Sequence, residues 1–190
     1  MAKLESTLKT MVLSLLGVCT VAATLLGFMN ELTKGPIAES KLRAKLAAIQ
    51  QVVPEFNNNP SDEMYTVQTD IGELECFPAR KDSVLVGTAI SSRTNLGFSG
   101  TFTVMVGLDP AGVLINTSVL EHKETPGLGT KMLEPKFKDQ FPGKNPATDN
   151  VKITKDGGLI DAITAATISS RAFSDAVIRA WEGYSKGGAQ

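Results

Sequence analysis

The stretch "GTFTVMVGLDPAGVLINTSVLE", Gly100 to Glu121, decides the fold. Two runs rich in β-branched residues, each of alternating character, flank the tetrapeptide "DPAG", Asp109 to Gly112. Aspartate can bond its own following backbone, proline presets φ, and glycine closes the turn without strain, so the tetrapeptide joins two strands as an antiparallel pair. Upstream, "SVLVGTAISS" (83–92) has the same character, and "ELECFPA" (73–79) reads as a further strand, set off from it by turn signals. The segment from about Tyr65 to Leu120 is therefore expected to form a twisted, mostly antiparallel sheet.

Downstream the period changes. "LEPKFKDQF" (133–141) predicts a short helix, a Pro/Asn-rich loop runs through Asn150, and "VKITKDGG" (151–158) reads as a brief strand and turn. Near the C-terminus, Ile168, Ala172, Phe173, Ala176, Val177, Ala180, Trp181 and Tyr184 recur at steps of three and four, the apolar stripe of an amphipathic helix. Strands and then helices in blocks, without βαβ alternation, argue for an α+β domain.

At the other end, Met11 to Met29 is an uncharged run of 19 residues between Lys9 and Glu31. That length matches the roughly 20 residues a helix needs to cross a hydrocarbon core. A cleaved signal peptide has a shorter apolar core, and Val18 is too bulky to precede a lipidated Cys19. The run is thus read as a retained membrane span. Lys34, Lys41, Arg43 and Lys45 follow it against Lys3 and Lys9 before it, so the lysine and arginine tally leans away from an inside N-terminus. Gly35-Pro36 is expected to break the chain. Ile37 to Val53 then resumes with Leu42, Leu46, Ile49 and Val53 at helical spacing, until Pro54 and "NNNP" (57–60) stop it. The organisation expected is a tail over 1–10, a span over 11–29, a helical linker over 30–60 and one domain over 61–190.

Composition removes several chemistries. With 19 basic and 20 acidic side chains and few aromatics, nothing points to nucleic acid. Two cysteines and one histidine cannot supply a zinc site of such ligands or an iron–sulfur cluster, and no metal site is expected. No acid–base pair or nucleophile stands out, so no catalytic residue is assigned; His122, without a visible partner, reads as structural or exposed. Cys19 falls in the span, which disfavours an internal disulfide, and Cys76 is expected to be buried.

Two segments remain. "EHKETPGLGTK" (121–131) leaves a strand with Gly127 and Gly129 around Leu128, which suits either a Pro-Gly turn or a close backbone approach to a ligand. "DAITAATISSRAF" (161–173) puts small and hydroxyl residues at a helix start, where free N–H groups and the dipole favour a phosphate. Thr167 presents a hydroxyl within the first turn. An ordinary capping threonine would read the same way.

"DAITAATISSR" resembles the signature Asp-x-x-(Ser/Thr)-Gly-Ala-Thr-x-(Ser/Thr)-Ser of FMN-binding domains that carry flavin covalently. "ETPGLG" (124–129) resembles that family's loop near the isoalloxazine, and "GFSG" (97–100) a third motif. The order of span, helical lead, sheet and C-terminal motif is similar to the G-subunit family of Rnf (Rsx) electron transport complexes. The C subunit of the Na⁺-translocating NADH:quinone reductase is its usually longer paralogue. The resemblance implies FMN joined by a phosphoester to Thr167. Thr164, Ala165, Ala166 and Ile168 then lie at the phosphate end, Ser169 and Ser170 hydrogen-bond nearby, and Glu124, Thr125, Gly127, Leu128 and Gly129 approach the ring. It implies a relay passing electrons between ferredoxin and NAD⁺ in a membrane complex coupled to Na⁺ or H⁺ movement. The expected partners are the other subunits, membrane lipid and a flavin transferase that acts on the outer face and places the domain there, against the charge tally. Asp161 is expected to serve the transferase or the turn, and Arg171 to offset phosphate charge or face solvent. Ala165 replaces the family's usual glycine and is expected to be tolerated because space, not a positive φ, is needed there. The other function class is a membrane-anchored FMN-binding sensor without ion translocation; a relay purifies with partners and a sensor purifies alone.

Overall fold

The computed structural model of the chain describes residues 7–69 and 72–187. The first six residues of the expected tail, with Lys3, and residues 188–190 of the expected domain lie outside the described residues. The chain divides into two compact units, residues 1–43 and 44–190.

The first helix, α1, runs Leu8–Val52 and passes through Pro36. The break expected at Gly35-Pro36 does not occur. Proline's fixed φ is itself helical, and it removes only one backbone bond from turns that continue on both sides. The N-terminal part is long and apolar enough to cross a membrane, with its most apolar window unburied. This fits a single-pass membrane protein.

In the second unit, β1 (Tyr65–Thr69), β2 (Gly72–Lys81), β3 (Val84–Gly97), β4 (Gly100–Leu108) and β5 (Leu114–Glu121) form one sheet in the order β1-β2-β3-β4-β5. Every pairing is antiparallel. The β4–β5 turn closes as its residues dictate: Gly112 N–H donates to Asp109 O at 2.9 Å, and Asp109 Oδ1 accepts from the N–H groups of Ala111 and Val113, each at 2.8 Å. Both faces of the central strands are covered, which is why β4 is buried without interruption from Val104 to Leu108.

On one face, Cys76, Ile90, Val104, Val106 and Leu108 pack with Ala172, Phe173, Ala176, Val177 and Ala180 of the last helix, α3 (Thr167–Gly187). Phe173 also meets Phe137 and Phe141 at ring-centre distances of 5.3 and 5.0 Å, tying the four-residue helix α2 (Pro135–Lys138) and its following loop to α3. Thr94 on β3 donates to Asp175 on α3 at 2.8 Å.

On the other face, Ala48, Ile49, Val52 and Val53 at the end of α1 pack on Phe77, Ala79, Ala89 and Met105. Gly107 permits this approach, because a Cβ there would run into the backbone carbonyl of Val52. Asn116 Nδ2 donates to Gln51 O at 3.0 Å, satisfying a carbonyl at the helix end.

Two expectations are corrected. Residues 151–158 hold no strand: only an isolated parallel bridge, Ile153 to Ile160, brackets a one-turn 3-10 helix at Thr154–Asp156. The left-handed Gly157 ends that turn, and a chain that reverses so soon has no room for a ladder. Ile168 leaves the buried stripe of α3, 46% exposed, because the first turn of the helix overhangs a cleft. Cys76 is buried and Cys19 exposed, both as free thiols. Burial pushes the Cys76 thiol up to about 11, against a hydrogen bond with Tyr65 that acts the other way.

Candidate functional site

The two motif segments meet. The β3–β4 hairpin loop at Phe98, the loop after β5 and the start of α3 enclose an open cleft of about 300 Å³ lined by Phe98, Glu124, Thr125, Leu128, Gly129, Ala165, Ala166, Thr167, Ile168 and Ser169. Phe98, Leu128 and Ile168 are 67%, 41% and 46% exposed, so the walls are apolar and unshielded.

Glu124 holds the three segments together. It is buried, its Oε1 accepts from the Ser99 N–H at 3.1 Å, and its Oε2 accepts from Ser169 Oγ at 2.8 Å. A Cβ on Gly129 would stand 2.5 Å from Oε2 and 3.0 Å from Ser169 Oγ. Glycine at that position makes room for the carboxylate.

The α3 start is built by a tight turn. Ala166 N–H donates to Ile163 O at 3.0 Å, closing residues 163–166. Ser170 Oγ donates to Ala166 O at 2.9 Å and accepts from the Ile163 N–H at 3.0 Å. The third residue of the turn, Ala165, has φ 64°. The expectation that only space matters here is overturned. A turn of this pattern demands the left-handed region at its third position, which glycine occupies freely and alanine does not.

Thr167 is the first residue of α3, half-buried in the cleft wall, where the opening N–H groups of the helix have no partners within it. Lys155 Nζ donates to Thr167 Oγ1 at 3.2 Å. Arg171 is engaged elsewhere: its Nε and Nη2 grip Asp156 at 2.7 and 2.8 Å. That fork, helped by Lys152 and Lys155, holds the Asp156 carboxyl below the usual carboxylate range.

Of the residues singled out in the sequence, Ser170 has its hydroxyl bonded within the turn, Gly127 lies beside the cleft at φ 75°, and Thr164 lines a neighbouring depression of about 510 Å³ with Asp161, Lys131 and Lys136. The backbone of Asp161 is clasped by Gln140, whose Oε1 accepts from its N–H at 2.7 Å and whose Nε2 donates to its carbonyl at 3.2 Å. His122 is absent from the cleft lining, and its Nδ1 is buried without a hydrogen-bond partner. Sequence reasoning missed Lys155, because no spacing rule links a lysine to a threonine 12 residues on across an irregular turn.

Residues 97–182 match the family model described as FMN-binding domain. The chain is similar to the G subunit of the ion-translocating oxidoreductase complex of Stutzerimonas stutzeri, at 34% identity over 178 residues, covering 90% of this chain and 78% of that protein. It is similar to the protein of the same name from Salmonella typhi, at 38% over 163 residues, covering 80% and 79% respectively. It is also similar to the G subunit of the Na(+)-translocating ferredoxin:NAD(+) oxidoreductase complex of Acetobacterium woodii, at 30% over 173 residues, covering 84% and 83%. Among solved structures, NqrC of Shewanella oneidensis aligns with a TM-score of 0.48 and 21% identity over 64% of this chain and 65% of that one.

Proposed function

The chain belongs to the G-subunit family of ion-translocating oxidoreductase complexes, electron-transport proteins with an FMN-binding domain, and on that footing we propose that it carries FMN ester-linked through its phosphate to Thr167 and relays electrons through it. One observation carries this reading. The Thr167 hydroxyl stands at the start of α3, inside a cleft whose walls come from all three motif segments.

The residues fit such a group. The cleft volume of about 300 Å³ lies at the lower end of the range for small-molecule sites, about 300–1,000 Å³, which suits a ring held against a surface rather than engulfed. Phe98, Leu128 and Ile168 offer apolar contact to a flat ring system. The opening N–H groups of α3 and the Lys155 ammonium offer positive charge at the hydroxyl end. Bound there, FMN supplies the electron-transfer chemistry. The chain supplies attachment at Thr167 Oγ1, a cleft wall fixed by Glu124, and partial exclusion of water. Thr125 and Gly129 bring backbone close to the ring side, and Ala166 keeps the phosphate side clear.

Na⁺ or H⁺ movement belongs to the assembled complex, so the other subunits are the partners, with lipid around the span and a flavin transferase needed for loading. Covalent attachment makes sense on the extracytoplasmic side of a cytoplasmic membrane, where lost FMN is not readily replaced. That sidedness opposes the lysine and arginine tally and is tested by protease protection of the 44–190 unit in intact cells.

Intact mass of the wild type and of Thr167→Ala, each co-expressed with a flavin transferase, tests the attachment. The wild type gains FMN less one water and the variant gains nothing. No gain on the wild type removes the reading. Purification from the native membrane without other subunits would turn the assignment toward a stand-alone sensor.

A further inference from the structure

We propose that Lys155 is the side chain that binds the phosphoryl group at Thr167, an assignment that rests on the reading that Thr167 carries FMN. An exposed lysine gains little from a threonine hydroxyl, since water solvates an ammonium as well. Here, however, the backbone that carries the lysine is held in place. It sits on the one-turn helix Thr154–Asp156, whose flanks are bonded to the neighbouring chain. Thr154 N–H donates to Ile160 O at 2.8 Å and Gly158 N–H to Ile153 O at 3.0 Å. Asn150 Nδ2 donates to Gly157 O at 3.1 Å, and Ile153 is buried. A rigid base thus delivers Nζ to 3.2 Å from Thr167 Oγ1.

Charge selects Lys155 over its neighbour. Arg171, four residues beyond Thr167, has the fork geometry that suits a phosphate, but that fork is spent on Asp156. The pairing also offsets the charge of Asp156, the carboxylate next to Lys155 in the chain. Lys155 acts on Asp156 only through its field, and its ammonium is the one bonded to the hydroxyl. A phosphate esterified at both ends carries one negative charge, and one ammonium balances it.

The test uses the full chain in detergent, co-expressed with a flavin transferase, as wild type, T167A, K155Q, K155R and K152Q. Loading is followed by intact mass over time, and the phosphorus resonance of each loaded protein is recorded. K155Q is expected to load at least about tenfold more slowly, the size of one lost charge-assisted bond, and to show a displaced phosphorus resonance. K155R is expected to restore both, and K152Q, a lysine of the same stretch of chain that does not reach Thr167, to behave as wild type. Equal loading of K155Q and wild type, with the resonance unmoved, overturns the proposal. So does slow loading with an unmoved resonance, which makes Lys155 a contact for the transferase instead. A matching defect in K152Q overturns it too, by reducing the effect to general charge. If the wild type fails to load, the attachment reading falls first and takes the lysine assignment with it.

Discussion

Ala165 is a non-glycine residue at φ 64° in the turn that aims Thr167. A left-handed conformation costs an alanine roughly 1–2 kcal/mol, and glycine gives back part of that in unfolded-state entropy. Ala165→Gly is therefore expected to stabilise the protein by about 0.5–1 kcal/mol, read from the urea midpoint of the detergent-solubilised chain. No change would mean that the turn relaxes around alanine. Gly129→Ala should act in the opposite sense. Its Cβ would crowd Glu124 and Ser169, so a loss of about 2 kcal/mol is expected, together with loss of flavin loading because the cleft wall moves. The need for glycine at 165 was written in the signature that "DAITAATISSR" resembles, yet its reason was not legible. A motif shows which residue is usual, whereas the dihedral appears only once residues 163–166 are seen to close a turn. Glu124 is the converse case: its place beside the site was readable in "ETPGLG", but its bond to Ser169, 45 residues away, was not.

Among the elements, β3 to β5 were readable because they are enriched in β-branched residues, and β2, which has none, because turn signals bound it. The uninterrupted path of α1 through Pro36 was not, since a proline signals a break on local grounds alone. Residues 151–158 read as a brief strand and turn, of which only the turn forms, and its job is set by a contact with α3. Asp156 has its pKa lowered in the fold by the Arg171 fork. The stability this adds is complete above the ordinary aspartate value of about 3.9 and is lost as pH falls through the depressed folded value. Hydrogen exchange of the amides of residues 153–158 should accordingly speed up in Asp156→Asn relative to wild type at pH 7, with the difference vanishing in strong acid. A difference that persists there would mean the fork is not what holds the turn.

For the molecule as a whole, the boundary that matters falls inside a helix. The sequence suggests a domain beginning near residue 61, and the compact unit that holds it also takes in the end of α1 from Ala44. Ile49, Val52 and Val53 each bury their side chains against the sheet, and at about 1.5–3 kcal/mol apiece their loss is worth roughly 5 kcal/mol or more. A fragment of residues 44–190 should be soluble without detergent and unfold cooperatively. A fragment of 61–190 should aggregate or bind hydrophobic dyes through the uncovered Phe77, Ala89 and Met105. Equal midpoints for the two fragments would show that the end of α1 contributes nothing to the fold.

The strand order β1-β2-β3-β4-β5 has a consequence in time. Each strand pairs with the one made just before it, so the sheet can assemble in step with synthesis. The face that α3 covers must wait until residues 167–187 have been made, which delivers Asp175 to Thr94 across 81 residues. The Thr167 hydroxyl is presented only when that helix docks. A polypeptide cut short before α3 therefore lacks the docked helix on which the proposed attachment at Thr167 depends.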